Sequence, residues 1–316
     1  MRGINASSVV LLLIFIWNIS VLIFRRLRKK SDIFSKVKSN TVRTVTIAMN
    51  ILLITGLVYY SIAIDVTHYI IKSDKIPQEF NGYKILQISD FHTGSFYGGV
   101  EALIEEVRNE SPDIIVLTGD MIDDNKVNLV PVMDLAVQLL KIAPVYSVSG
   151  NHDVWYVGFK DLQKSLENTG VIFMNNRKVI LQRGTSSINL YGIGDPESWN
   201  YKIASQYVHE KIQKLKPDGG YNILLFHRAN MFDVIKGKGF HLVLSGHMHG
   251  GQMQIPFLGG LVSPHHDHRW FPKYTDGKWN EEDTTLIVNR GLGNNAPVPR
   301  LLNPPEVVVI TLQSEN

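Results

Sequence analysis

Several short stretches of the chain place histidine, aspartate or asparagine directly after an apolar run. In the clearest one, Leu242 to Gln252, the apolar run ends in Ser-Gly and is followed by His247, Met248, His249 and two glycines. In extended chain, positions two apart face the same way, so both imidazoles can point at one spot. The glycines allow the backbone to turn tightly there. The pattern is typical of a metal site, but it is equally compatible with histidines that are solvated or hydrogen-bonded near a turn.

Four further stretches of the same kind favour the metal interpretation. Asp90 and His92 follow an apolar run over 83–88, Asp120 follows 113–117, Asn151 and His152 follow 144–148, and His227 follows 222–226. In open α/β sheets, ligands bind beyond the carboxyl ends of the strands. Five polar clusters at such ends are hard to explain by structure alone. The predicted metal ligands are Asp90, His92, Asp120, Asn151, His227, His247 and His249.

This ligand set predicts two metal ions. Seven side chains are too many for one tetrahedral zinc site. Shared between two ions with one bridging carboxylate, they supply three or four protein ligands per ion. Two ions about 3.5–4 Å apart suit phosphoester hydrolysis, because they hold the phosphate oxygens and lower the pKa of the attacking water. Imidazole, carboxylate and amide ligands suit Mn, Fe or Zn better than Ca or Mg.

The five blocks, in this order over residues 90–249, resemble the motifs of the calcineurin-like metallophosphoesterases. The matching motifs are Asp90-x-His92, Gly119-Asp120-x-x-Asp123, Gly150-Asn151-His152-Asp153, a separate His227 and Gly246-His247-x-His249. The tail, with Asn289-Arg290-Gly291-Leu292-Gly293 and Pro304-Pro305-Glu306-Val307, is similar to the membrane-associated bacterial branch of that family. Asn289 stands where that branch leads us to expect serine.

The resemblance implies a role for each matched residue. Asp90, His92 and His249 would bind one metal, Asn151, His227 and His247 would bind the other, and Asp120 would bridge them. His152 and Asp153 are the implied catalytic residues. His152 would orient or protonate the leaving-group oxygen, and Asp153 would hold its imidazole.

Strands and helices alternate in the part of the chain that carries these motifs. Helical spacing of apolar residues appears near 103–107, 129–142, 159–168 and 199–215, a β-hairpin pattern spans 179–193, and strand patterns return at 285–288 and 306–312. Residues 70–78 have the pattern of a connector. Such an order predicts a layered α/β domain with two packed sheets, and the resemblance implies a four-layer α/β/β/α sandwich.

Composition separates the N-terminal region from the rest. The chain has 316 residues, 44% hydrophobic, and no cysteine, which excludes disulfides and thiolate metal sites. Residues 1–67 hold nine Lys or Arg and two acids, a net charge of +7, which leaves 23 basic and 27 acidic residues, a net of −4, in 68–316. The larger part therefore has no basic excess of the kind expected of a nucleic-acid binder.

Two apolar segments, about 4–24 and 44–64, predict transmembrane helices. The alternatives are a cleaved signal peptide and a buried core helix, but the basic cluster after the first segment argues against cleavage. Eight of the nine basic residues lie between the segments, so the positive-inside rule predicts a cytoplasmic loop. The loop can also bind anionic lipid headgroups. We predict a membrane anchor over 1–67 and an extracytoplasmic metallophosphoesterase domain over 68–316.

Further polar and aromatic residues carry predictions of their own, most of them with an alternative. Asp123 would orient a ligand or cap a helix rather than bind metal, Arg228 would clamp a phosphate or form a surface ion pair, and Arg290 would contact phosphate. His265-His266-Asp267-His268 would form the rim of the cleft or a third metal site. Trp155, Tyr156, Trp270 and Phe271 would line an apolar entrance, or be ordinary core and surface aromatics.

The sequence thus predicts a membrane-anchored, dinuclear metal-dependent phosphoesterase at the outer face of the cytoplasmic membrane. One alternative is a hydrolase of a lipid-linked pyrophosphate or phosphodiester, because the anchor would place the cleft near headgroups. The other is a non-catalytic metal-binding scaffold, against which His152 argues, since it binds no metal in this scheme. The expected partners are a phosphoester substrate and the membrane, with no nucleic acid.

Overall fold

The computed structural model of the protein describes residues 16–23, 26, 39–93, 99–123, 128–255, 257–262, 270–294 and 300–315. The chain divides into two compact units, Met1–Ile62 and Ala63–Asn316. In the first, residues 16–23 are helical and α1 spans Ser39–Ile62. Asn50 Nδ2 donates a hydrogen bond to Asn18 Oδ1 at 2.8 Å.

The two predicted membrane spans have no support in the structure. Among the residues described, no helix has both the length and the apolar character needed to cross a bilayer. The second predicted span, 44–64, coincides largely with α1. The first, 4–24, and the basic loop after it lie largely outside the described residues.

The second unit contains two six-stranded sheets. The first has the order β1-β14-β2-β3-β4-β5, with β14 and β2 antiparallel and all other neighbours parallel. Its strands are β1 (Asp65–Ser73), β2 (Lys84–Ile88), β3 (Ile114–Leu117), β4 (Val145–Ser147), β5 (Ile172–Phe173) and β14 (Glu306–Ser314).

The second sheet has the order β12-β13-β9-β8-β7-β6, with a parallel centre and an antiparallel pair at each edge. Its strands are β6 (Arg177–Arg183), β7 (Ser186–Ile193), β8 (Asn222–Arg228), β9 (Leu242–Gly246), β12 (Gly277–Glu281) and β13 (Thr284–Val288). A small hairpin, β10 (Gln254–Ile255) and β11 (Gly259–Gly260), lies between β9 and β12 in the chain.

Helices pack on the outer faces of both sheets, apart from the short helix Asn151–Trp155, which carries site residues. In chain order they are α2 (Val100–Glu110), α3 (Val130–Leu140), α4 (Asn151–Trp155), α5 (Phe159–Thr169), α6 (Tyr201–Leu215) and α7 (Phe232–Ile235). α5 ends at Thr169, as the Thr-Gly pair predicts, and the following Gly170 has a φ of 112° that only glycine adopts easily.

Alternation along the strands builds the layers, because successive side chains point to opposite faces. In β2, Ile85 packs between the sheets, and Leu86 packs outward among residues of α2 and α3. In β9, Leu244 faces the first sheet, while Val243 packs outward with α6 and α7. The predicted α/β/β/α sandwich is therefore confirmed. Gln87 Nε2 donates to Ser245 O at 2.9 Å and ties the two sheets beside the polar strand ends.

The edge strand β1 was not predicted. Residues 65–73 form β1, which pairs with β14 from Asp65 with Glu306 to Ser73 with Ser314, so the connector predicted over 70–78 is wrong at its start. The predicted domain boundary after residue 67 falls inside this strand. Only Ile71 of β1 is fully buried, so the apolar pattern of this stretch is weak. The partner strand β14 lies far along the chain, so no neighbouring sequence indicates the pairing.

Candidate metal centre

The seven predicted ligand residues lie at the carboxyl ends of strands from both sheets. Asp90 and His92 follow β2, Asp120 follows β3, Asn151 follows β4, His227 lies near the end of β8, and His247 and His249 follow β9. All seven are buried, with at most 5% of the residue exposed. The two sheets therefore contribute jointly to one polar centre.

The first group of ligand atoms comes from Asp90, His92 and His249, and these atoms lie within 4.8 Å of one another. The Nε2 atoms of the two histidines are 3.2 Å apart. His249 Nε2 is also 3.4 Å from Asp90 Oδ1. Two imidazole nitrogens and a carboxylate oxygen therefore converge on one point, as ligands of a shared cation do.

The second group comes from Asp120, His227 and His247, again with ligand atoms within 4.8 Å. His227 Nε2 lies 3.0 Å from Asp120 Oδ2, and the same oxygen lies 3.9 Å from His92 Nε2 in the first group. Asp120 thus lies between the groups, where a bridging ligand is needed. The next strand end carries Asn151, whose Oδ1 is buried and has no hydrogen-bond partner in the described part of the chain.

The charges and donor atoms fit divalent cations. Asp90 and Asp120 are at most 1% exposed, and buried carboxylates require positive partners. Burial raises the pKa of Asp90, and the nearby Asp120 carboxylate adds to the rise. For Asp120, burial acts in the same direction, but the His227 imidazole outweighs it and lowers the pKa. Imidazole, carboxylate and a buried amide oxygen together are a donor set for Mn, Fe or Zn.

Neighbouring groups fix the orientation of two ligand imidazoles. His227 Nδ1 lies 2.8 Å from the carbonyl oxygen of Thr118, which can only accept, so Nδ1 carries the proton and Nε2 is left for a metal. His92 Nδ1 lies 3.2 Å from Asp123 Oδ1, which leaves its Nε2 facing the first group. This contact matches the orienting role predicted for Asp123.

The backbone at the centre is strained. Asp90, His92, Asp120, His247 and His249 have φ values of 50°, 45°, 53°, 72° and 46°. Residues other than glycine rarely adopt this left-handed backbone conformation. Each such residue costs about 1–3 kcal/mol of stability. The premise of an extended chain after β9 is therefore wrong, whereas the resemblance already assigned His247 and His249 to different ions. The chain there is not extended, and the two imidazoles join different groups.

Two positions at the centre require glycine, because side chains of the centre lie too close to leave room for a Cβ atom. A Cβ on Gly119, whose φ is 98°, would lie 2.7 Å from His227 Nδ1. A Cβ on Gly246 would collide with the side chains of Ser89 and Asp90. Any side chain at either position would therefore displace a ligand.

Asp153 has a different role from the predicted one. Its carboxylate accepts hydrogen bonds from the backbone N–H groups of Asp120 and Gly150 (both 2.8 Å), Met121 (2.9 Å) and Ile122 (3.3 Å). It therefore ties together the loops after β3 and β4 instead of holding the imidazole of His152. Burial, reinforced by the Asp120 carboxylate, raises the pKa of Asp153 to about 6, and the amide donors oppose the rise.

His152 lies at the rim of the centre and belongs to neither ligand group. Its ring meets the ring of His92 edge-on at 5.1 Å and that of Trp155 at 5.3 Å. Its backbone N–H donates to Asp120 Oδ1 at 2.8 Å. The side chain is half-buried, unlike the ligands, so it can reach a molecule bound at the centre.

Neither arginine predicted near phosphate is placed to clamp one. Arg228 is buried and forms a bidentate pair with Asp195 at 2.6 and 2.7 Å, so it is not a surface ion pair either. Arg290 Nη2 donates to Asp65 Oδ2 at 2.6 Å and to Glu306 Oε1 at 2.9 Å. Their charges hold loops and strands together.

Two residues near the centre were missed. Trp199 packs against Trp155, with ring centroids 4.7 Å apart. Arg300 is buried, with Nη2 3.3 Å from His249 Nδ1 and 2.9 Å from the carbonyl oxygen of Arg290, to which it donates. No local pattern marks either residue. The cluster His265-His266-Asp267-His268 lies outside the described residues.

Comparison with known proteins identifies a family for this chain. The model of the calcineurin-like phosphoesterase family matches residues 83–251. YkuE, an uncharacterized metallophosphoesterase of Bacillus subtilis (strain 168), is 31% identical over 80% of this chain and 87% of its own length. Phosphodiesterase YaeI of Escherichia coli (strain K12) is 27% identical over 73% of this chain and 82% of its own. A dimetal phosphatase structure from Danio rerio has 10% identity and a TM-score of 0.41, covering 69% of this chain and 90% of that one. The chain belongs to the calcineurin-like phosphoesterase family and is accordingly a metal-dependent phosphoric ester hydrolase.

Proposed function

We propose that the centre binds two divalent metal ions and that the protein uses them to hydrolyse phosphodiester bonds. One observation carries this proposal: two buried three-residue ligand groups, with Asp120 between them. Asp90, His92 and His249 would hold one ion, and Asn151, His227 and His247 the other. When bound, Mn, Fe or Zn ions would hold the phosphate oxygens and lower the pKa of the attacking water. The diester preference takes support from the relative named a phosphodiesterase.

His152 would supply the proton that the leaving group needs. Its ring lies beside the ligand ring of His92 but belongs to neither group, and it is half-buried rather than enclosed. Protonated, it can donate to the leaving-group oxygen as the ester bond breaks. The hydrogen bond from the backbone N–H of His152 to Asp120 fixes the position of the His152 backbone, and so of its Cα, beside the centre.

A substrate panel tests this function. The purified protein would be loaded with Mn, Fe or Zn and assayed against bis(p-nitrophenyl) phosphate and p-nitrophenyl phosphate, while its metal content is measured. We expect turnover of the diester by protein that holds two ions. Protein with two ions and no hydrolysis of any ester would instead support a metal-binding scaffold.

We also propose that the domain works at the outer face of the cytoplasmic membrane. The support is the sequence: eight of nine basic residues among 1–67 lie between two apolar segments. A relative from Danio rerio, 25% identical over 88% of this chain, is named a transmembrane protein with a metallophosphoesterase domain. Protease added to intact cells should clip the domain, and complete protection would overturn the orientation.

A lipid-linked phosphodiester or pyrophosphate is a second candidate substrate. Phe257 and Leu258, at the tip of the β10–β11 hairpin that closely follows His249, are 87% and 67% exposed, and Trp270 is 68% exposed. Such apolar side chains suit a lipid surface. Turnover of a lipid-linked diester in vesicles would be compared with that of a soluble diester. Equal or faster turnover of the soluble ester removes this candidate.

A further inference from the structure

Seven aromatic rings surround the candidate centre in a continuous arc. In order they are His249, His92, His152, Trp155, Trp199, His247 and His227, and neighbouring centroids lie 5.1, 5.1, 5.3, 4.7, 6.4 and 5.0 Å apart. Five of the seven are the four ligand imidazoles and His152. The remaining two are indoles, and they fill the arc between His152 and the second ligand group.

The position of Trp155 is fixed by the helix that carries the site residues. α4 holds Asn151, His152, Asp153 and Trp155 within five residues. Three- and four-residue spacings place side chains on one helical face, so Trp155 shares a face with Asn151 and His152. The buried Asp153 anchors the helix start by accepting from the backbone of Gly150.

The position of Trp199 is fixed by Arg228. The guanidinium of Arg228 lies over its ring, 5.3 Å from the centroid. Arg228 also holds the loop before Trp199, through Asp195 and through a 2.7 Å hydrogen bond to the carbonyl oxygen of Ser198. The indole wall is thus preformed, and it abuts the histidine proposed to protonate the leaving group.

We propose that Trp155 and Trp199 form a binding wall for a planar, apolar leaving group of the phosphoester. This rests on the proposed function, because His152 defines the leaving-group side. Both tryptophans are half-buried, so each keeps part of its surface exposed. A planar ring stacks on indole better than a flexible chain does. A cationic group is disfavoured, because Arg228 already places a positive charge against Trp199.

Binding of inert phosphonates tests the wall without a chemical step. Methylphosphonate, hexylphosphonate and phenylphosphonate would be titrated calorimetrically into the metal-loaded protein. We expect phenylphosphonate to bind about tenfold tighter than methylphosphonate, and tighter than hexylphosphonate, because two indoles contact its ring. Trp155→Leu and Trp199→Leu should each reduce this preference by about threefold or more.

Two further variants serve as controls. Trp199→Phe keeps a ring and should retain part of the preference, whereas Trp270→Leu removes an exposed indole outside the arc and should retain all of it. Metal content and thermal unfolding would establish that each variant is folded. An equal affinity for phenyl- and methylphosphonate, a preference untouched by both wall substitutions, or hexylphosphonate binding as tightly as phenylphosphonate would overturn the proposal. If hydrolysis and methylphosphonate binding are also absent, the proposed function fails and the wall with it.

Discussion

The carboxylate of Asp153 holds the backbone of Asp120, with Oδ2 accepting a 2.8 Å hydrogen bond from the Asp120 amide. The same oxygen accepts from Gly150, and Oδ1 accepts from Met121 and Ile122. One buried side chain therefore fixes the loops that present Asp120 and Asn151. The distance between these two ligands depends on a residue that need not touch metal or substrate.

Replacement of Asp153 should consequently lower the stability of the fold. Asp153→Asn turns an amide N–H₂ toward two backbone donors, so we expect a loss of about 2–4 kcal/mol in the free energy of unfolding. Denaturant titration measures the loss. The exposed Asp161→Asn serves as the control and should cost less than about 1 kcal/mol. An unchanged stability of the Asp153 variant would contradict the anchoring role.

His152→Ala should separate chemistry from metal binding. His152 lies outside both ligand groups, so the variant should keep the wild-type metal content. The loss of a proton donor should lower kcat by about 10²–10⁴-fold. Elemental analysis and steady-state kinetics with an aryl diester measure the two quantities. A parallel loss of metal would show that the histidine has been assigned the wrong role.

Alanine substitutions should show whether Gly246 is required because neighbouring side chains leave no room for a Cβ atom, or only because glycine is flexible. Gly246→Ala pushes a methyl group into Ser89 and Asp90, so we expect loss of metal and a destabilisation of about 2 kcal/mol or more. Gly219→Ala is the matched control, because nothing lies within 4 Å of its added methyl. Thermal unfolding and metal content compare them. Equal behaviour of the two variants would refute the steric argument.

His241 should make the fold sensitive to mild acid. Burial, with the Lys75 ammonium, lowers the pKa of His241, and the ring accepts a hydrogen bond from the backbone N–H of Asn222 at 3.0 Å. The unfolded chain, with a histidine pKa of about 6.5, therefore takes up the proton first as pH falls. Stability should be full above that pH and fall below it.

Denaturation at pH 8 and pH 5.5 measures this loss, and His241→Asn isolates it. Asparagine cannot bind a proton, so the variant should lose less stability on acidification than the wild type does. An equal loss in both proteins would show that other groups cause the acid sensitivity.

The sequence predicted the ligand types of the centre better than its geometry. Seven donors at strand ends were identifiable because apolar runs ended at them, and the sandwich followed from the alternation of strands and helices. The left-handed backbone at His247 and His249 was not identifiable, since such φ values arise from tertiary contacts that no local pattern encodes. Trp199 was missed for a related reason. Its neighbours, Trp155 and Arg228, come from distant parts of the chain.

The metal content of the folded protein tests the central claim most directly. After reconstitution with Mn, Fe or Zn and removal of free metal, elemental analysis should find close to two ions per molecule. His249→Ala and His247→Ala, which each remove a ligand from one group, should each bring the value to about one. A wild-type value near zero would contradict the account.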